Sequence, residues 1–208
     1  MKKITTITKT LALAALAVVA SMTVVSCGSD DPATPDTSGG SSDKKETYVP
    51  TVAICYAVDD STMQDFDLTV TYTDENGETQ KVVLDKTNTK KVAMLDSTAY
   101  QYEFSKTLQF TKLPQSNLTY KAEIARKVPL SEKKEYNITV RYGVAYGNIL
   151  KSQVTDAASA LYLSAVTYGL SGIEPAGIDT SLSAVNYELA QKNKTLNLSA
   201  DGTFSEVK

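Results

Sequence analysis

Tyr136-Asn137-Ile138-Thr139-Val140-Arg141-Tyr142-Gly143-Val144-Ala145-Tyr146 sets a large apolar side chain at every second position, with small or polar residues between. Successive side chains of an extended strand point to opposite faces. This period of two therefore gathers Tyr136, Ile138, Val140, Tyr142, Val144 and Tyr146 on one face of a half-buried strand. Phe66, Leu68, Val70 and Tyr72, separated by Asp67, Thr69 and Thr71, repeat the pattern. Less regular runs follow at 52–58, 82–85, 100–110, 118–125, 187–190, 195–199 and 203–207. Many short strands joined by short connections predict a mainly β body over 48–208, built as an antiparallel β-sandwich, either as one unit or divided near residue 150. No period of 20 to 50 residues marks a repeat array.

Side-chain parity sets the register of two hairpins. A two-residue turn at Asn76-Gly77 would oppose Val70 to Val83 and Tyr72 to Lys81, splitting the apolar face. A three-residue loop, Glu75-Asn76-Gly77 with Gly77 in the left-handed region, instead pairs Val70 with Val82 and Leu68 with Leu84. For a hairpin around Glu132, pairing Ile124 with Val140, Ala122 with Tyr142 and Tyr120 with Val144 sets Glu123 opposite Arg141. The neighbouring register would put Lys121 against Arg141, an unfavourable like-charge pair. Arg141 is thus expected as a solvent-face ion-pair partner. Val154, Ala157, Ala158, Leu161, Ala165 and Tyr168 recur at helical spacing, with Gly169 placed to end a helix, so one short helix is expected near 154–168. Leu161-Tyr162-Leu163 reads equally as a strand, and 169–180 reads as a Gly/Pro-rich connection.

Composition removes several chemistries. The chain of 208 residues has no His, two Cys and no Trp. Without His there is no Ser-His-Asp triad, no Cys-His pair and no His-ligated zinc. Two sulfurs, one of them at position 27, cannot build a Cys-rich metal site. Cys55, within an apolar strand, reads as a small buried hydrophobe.

The first 47 residues differ from the rest. Lys2 and Lys3 precede an apolar run of Leu, Ala and Val over 11–20, and small residues lead into Cys27, as in a cleaved signal peptide over 1–26. From 28 to 47 the chain is Pro, Gly, Ser, Thr, Asp, Lys and Glu with one Ala and no large apolar residue, too little to order itself. As a flexible tether its root-mean-square reach is about 25 Å. Removing 1–26 takes away Lys2, Lys3 and Lys9 and no acid, which moves the net charge from −3 to −6. An acidic body with only two arginines, Arg126 and Arg141, argues against a nucleic-acid partner.

Val24-Val25-Ser26-Cys27 resembles the lipobox of bacterial lipoproteins. The resemblance implies acylation of Cys27, loss of Met1–Ser26, and a membrane partner held through acyl chains such as palmitate. Ser29-Asp30-Asp31 is similar to the acidic signal that sends some Gram-negative lipoproteins to the cell surface. It implies an outer-membrane location facing outward, the periplasmic face being the alternative. Leu113-Pro114 followed by Leu118 and Tyr120 resembles a corner of immunoglobulin-like sandwiches. Leu196-Asn197-Leu198 with Asp201-Gly202-Thr203-Phe204 is similar to hairpins of lipocalin-like β-barrels, the alternative fold.

Candidate site residues are few. Asp59, Asp60, Asp65 and Asp67 bring four carboxylates close together in sequence, and hard cations take such oxygens, but the spacing is not that of an EF-hand loop. Metal is therefore not expected, and no cofactor motif is present. Glu132 and Glu135 read as surface charge rather than an acid/base pair. Tyr72, Tyr120, Tyr136, Tyr142 and Tyr146 are patterned inward, while Tyr48, Tyr56, Tyr100, Tyr102, Tyr162 and Tyr187 have no assigned face. The expectation is a non-enzymatic module that binds a glycan or an envelope or host protein. A fimbrillin-like structural subunit or assembly accessory is the alternative, and a carboxylate-dependent hydrolase the third reading.

Overall fold

The computed structural model describes residues 47–93, 100–114, 116–153 and 165–207. The expected signal peptide, Cys27 and nearly all of the expected tether therefore lie outside the described residues. In chain order the elements are β1 (Tyr48–Asp59), α1 (Asp60–Asp65), β2 (Phe66–Thr73), β3 (Thr79–Val83), β4 (Lys90–Ala93), β5 (Tyr100–Gln109), β6 (Leu118–Arg126), β7 (Tyr136–Leu150), β8 (Val166–Ile173), α2 (Ile178–Ala190), β9 (Lys194–Leu198) and β10 (Phe204–Glu206). They form two antiparallel five-stranded sheets, ordered β4-β5-β1-β7-β8 and β10-β9-β6-β2-β3. The body is a β-sandwich. Neither sheet closes on itself, so the barrel alternative is not realised.

The strongly alternating strands supply the core. Ile138, Val140 and Tyr142 of β7 lie beside Val52, Ile54, Tyr56 and Val58 of β1, and they pack with Leu68, Val70 and Tyr72 of β2 and Tyr120, Ala122 and Ile124 of β6. Tyr72 and Phe104 meet with ring centroids 5.7 Å apart. β1 sits mid-sheet and is buried on both sides. Its outward positions are Ala53, Cys55 and Ala57, small enough for close cover, and Ala165 packs against the first two. This double burial is why the strand reads as an apolar run rather than a clean alternation.

The first hairpin has the expected register. Val70 pairs with Val82, Leu84 N–H donates to Leu68 C=O at 2.9 Å, and Gly77 has φ +82°. Gly77 N–H donates to Asp74 C=O (3.0 Å), and Asp74 N–H to Glu78 C=O (2.9 Å). That is a tight turn followed by a glycine bulge, in which any other residue would be strained.

The second hairpin does not form. β6 pairs with β2 and β9, β7 pairs with β1 and β8, and the segment after Arg126 crosses from one sheet to the other. Glu123 lies opposite Thr69, not Arg141. Arg141, expected at the solvent face, is only 8% exposed. Parity could not reveal this: two strands joined by a crossover present their apolar faces to one another across the core, and the alternation is the same as in a hairpin.

The expected helix near 154–168 is corrected where it can be seen. Residues 154–164 lie outside the described residues, and 166–168 belong to β8, where Tyr168 pairs with Val140 and Gly169 with Thr139. The strand expected at 187–190 is instead part of α2, and the connection expected at 169–180 is divided: 169–173 belong to β8, 174–177 form a turn, and 178–180 begin α2. Ile178, Leu182, Val185 and Leu189 are its buried residues, spaced as one helical stripe. Pro175 in the preceding turn is compatible with a helical start. α2 packs on β6 and β8, closing one side of the sandwich.

Candidate functional site

β1 runs from Tyr48 to Asp59. At about 3.3 Å per residue this carries the chain about 36 Å to the opposite end of the sandwich. There Asp59 caps α1: its Oδ1 accepts from Thr62 N–H at 2.7 Å and from Ser61 Oγ at 3.0 Å. Asp, extended backbone and a following helical turn are the usual ingredients of an N-cap. Thr62, now buried, turns its hydroxyl to accept from Thr139 N–H at 2.7 Å, which ties α1 to β7.

The four aspartates do not converge. Asp59 is the cap. Asp60 meets Lys86 at 3.0 Å, and hydrogen bonding to that ammonium holds its carboxyl below the usual range. Asp65, whose side chain is 2% exposed, accepts from Lys133 Nζ at 2.6 Å and from Ser131 Oγ. Asp67 pairs with Lys127 at 3.7 Å. Each carboxylate has its own cation or N–H donors, and no cluster of His, Cys, Asp or Glu among the described residues has metal-binding geometry.

These bonds fix the crossover 127–135. Lys127 N–H donates to Asp65 C=O (2.9 Å), Lys127 Nζ to Met63 C=O (2.6 Å), and Tyr136 Oη to Ser131 C=O (2.5 Å). Leu130 packs on the core while Val128, next to a cis peptide bond to Pro129, is 89% exposed. A loop with rigid supports and an apolar tip is a suitable contact surface. Glu132 and Glu135 are exposed, as expected of surface charge.

Tyrosines divide as their patterning predicts. Tyr72, Tyr120, Tyr136 and Tyr142 are buried, and Tyr146 is half-buried, donating to Glu206 at 2.6 Å. Of the unassigned ones, Tyr56 and Tyr102 are core, Tyr48, Tyr100 and Tyr187 are exposed, and Tyr162 lies outside the described residues. Tyr120 is fully buried with its hydroxyl unpaired among the described residues, so it does not make the backbone hydrogen bond of an immunoglobulin-type tyrosine corner. A depression of about 10 Å³ lies among Tyr142, Val144, Leu189, Lys192 and Asn193. That volume suits a water molecule, not a sugar ring.

A polar group that sequence reasoning missed sits outside β1. Glu103 of β5 and Arg141 of β7 are buried on either side of Ala57, where both interact with Cys55, and Gln101 is buried opposite Asp59. Burial, with the neighbouring Glu103 carboxylate, pushes the Cys55 thiol up to about 12, and Arg141 opposes this. Such a thiol is protonated at neutral pH and is not a nucleophile. Glu103 and Arg141 look in sequence like ordinary strand polar residues; only the flanking of Cys55 by Ala53 and Ala57 signals that this face is covered. Asn186 was missed as well. Its Nδ2 donates to Ile124 C=O and its Oδ1 accepts from Ile124 N–H, both at 2.8 Å. It completes β6 beyond Leu118–Tyr120, the part paired with β9.

No protein-family model, curated protein or solved structure matches the chain. Among the described residues no helix is long and apolar enough to cross a membrane. The protein is thus, by fold, a two-sheet antiparallel β-sandwich with one side closed by a helix.

Proposed function

We propose that the chain is a bacterial envelope lipoprotein, acylated at Cys27, whose β-sandwich is a non-enzymatic binding or adhesion module for a glycan or a protein partner. The observation that carries the reading is Val24-Val25-Ser26-Cys27 at the end of a short apolar run, followed by a polar stretch that ends where β1 begins. Several acyl chains on one residue would anchor the protein stably, since each buried CH₂ contributes about 0.8 kcal/mol. Ser29-Asp30-Asp31 supports the outer-membrane surface as the location.

The body's geometry is compatible with this role. Attachment before Tyr48 leaves α1 and the braced crossover 127–135 at the far end of the strands, where a partner would meet them first. The aspartates there are engaged in caps and ion pairs, which favours recognition over acid/base chemistry. Phase partition of the native chain beside a Cys27→Ser variant tests the anchor: only the former should enter the detergent phase. Glycan and outer-membrane protein panels test the binding role. Uniformly negative panels would remove it, and polymers built of this chain would replace it with the structural-subunit reading.

A further inference from the structure

Each sheet ends in two strands with a single neighbour, β4 and β8 in one and β3 and β10 in the other. An unpaired edge offers N–H and C=O groups to another chain, and proteins guard such edges with lysine, shortness, bulges or a covering helix or loop. β3 carries Lys81, β4 carries Lys90 and Lys91, and β10 spans three residues. β8 differs. Val166-Thr167-Tyr168-Gly169-Leu170-Ser171-Gly172-Ile173 has no charge and no proline. Its irregularity is confined to the far end, where Ile138 pairs with Leu170 but Tyr136 with Ile173, and Gly172 has φ +66°. Positions 166–170 remain regular, Val166 is 47% exposed and Thr167 is exposed. α2 packs on β8 as well as β6, yet Val166 and Thr167 stay exposed and, among the described residues, no strand lies beyond 166–170.

We propose that β8 is a self-association edge, through which a second copy of this chain pairs antiparallel over 166–170 and extends the β4-β5-β1-β7-β8 sheet. A second copy is the occupant because the strand complements itself. A two-fold axis at Tyr168 sets Val166 opposite Leu170 on the face turned to the core and Thr167 opposite Gly169 on the other, with no like charges in contact. The same operation on β3 would set Lys81 against Lys81, and on β4 would crowd Lys90 and Lys91 of both copies. Five residues of edge make a small interface, so association is reversible.

The test co-expresses two differently tagged full-length copies and measures how much of one is recovered with the other. Wild-type copies co-purify. Thr167→Lys in both copies, or Thr167→Glu in both, lowers recovery about threefold by setting like charges at diagonal positions across the axis. Thr167→Lys in one copy with Thr167→Glu in the other restores it, which a merely misfolded variant would not do. The proposal is overturned if wild-type copies do not co-purify, as when a different partner occupies the edge. It is equally overturned if the Thr167→Glu pair, whose carboxylate faces Arg141 of its own chain favourably, is recovered as well as wild type, or if the opposite-charged pair is not rescued although each variant alone unfolds in urea as wild type does.

Discussion

Replacing Asn186 by alanine removes one side-chain amide and leaves two backbone groups of β6 without protein partners. Ile124 is 2% exposed, and both its N–H and its C=O are bonded to Asn186 at 2.8 Å. An unsatisfied buried backbone group costs about 1–3 kcal/mol. Asn186 itself is half-buried, so water entering the vacated volume recovers part of each term, and the pair together costs about 2–3 kcal/mol. Alanine is the better helix former by about 0.6 kcal/mol, which offsets some of this. The net expectation is a loss of about 1.5–2.5 kcal/mol, or about 4–8 °C in Tm for a body of this size. Urea unfolding followed by circular dichroism measures it, with the exposed Tyr187→Ala on the same helix as control, expected within about 0.5 kcal/mol of wild type. Hydrogen exchange at Ile124 should accelerate in the Asn186 variant alone. Unchanged stability and unchanged exchange would mean that solvent, not Asn186, satisfies this edge.

Asp65→Ala strands Lys133 and frees Ser131; it should cost about 2–4 kcal/mol and speed tryptic cleavage at Lys127, Lys133 or Lys134, read as band loss under native conditions. Cys55 gives a pH dependence. Its folded thiol is raised from 9.0 to about 12, so the stabilisation is intact below pH 9. It is lost as pH rises towards 12, because the unfolded thiol ionises first, at roughly 1 kcal/mol per pH unit. The buried hydroxyls of Tyr56 and Tyr120, raised by desolvation, act in the same direction from about pH 10. Alkaline denaturant titrations check the slope, and Cys55→Ala should flatten its lower part. Gly77→Ala forces a side chain onto φ +82° with its Cβ 3.4 Å from Pro114, and should cost about 1 kcal/mol in the same assay.

The β2–β3 register was legible because two local facts agree there: side-chain parity in Phe66–Thr73 and the glycine that a bulged turn needs. The alternation of β7 correctly marked its buried face, yet alternation says which face is buried and not which strand lies beside it. The crossover after Arg126 depends on contacts between segments distant in sequence, such as Lys133 with Asp65 and Thr62 with Thr139. α2 was present as Ile178, Leu182, Val185 and Leu189, but the Gly/Pro-rich stretch before it and the alternating Tyr187 and Leu189 concealed the longer period. At the end of the sandwich that holds α1 the four aspartates were visible. Their separate partners were not, because Lys86, Lys127 and Lys133 come from other parts of the chain.

Mass spectrometry of the amino-terminal peptide from protein made in its native envelope tests the anchored-sandwich account most directly. The account predicts a mature chain that starts at Cys27 and carries fatty-acyl chains on that residue, with Met1–Ser26 absent. A chain that retains those residues, or one cut elsewhere with an unmodified Cys27 thiol, would contradict it.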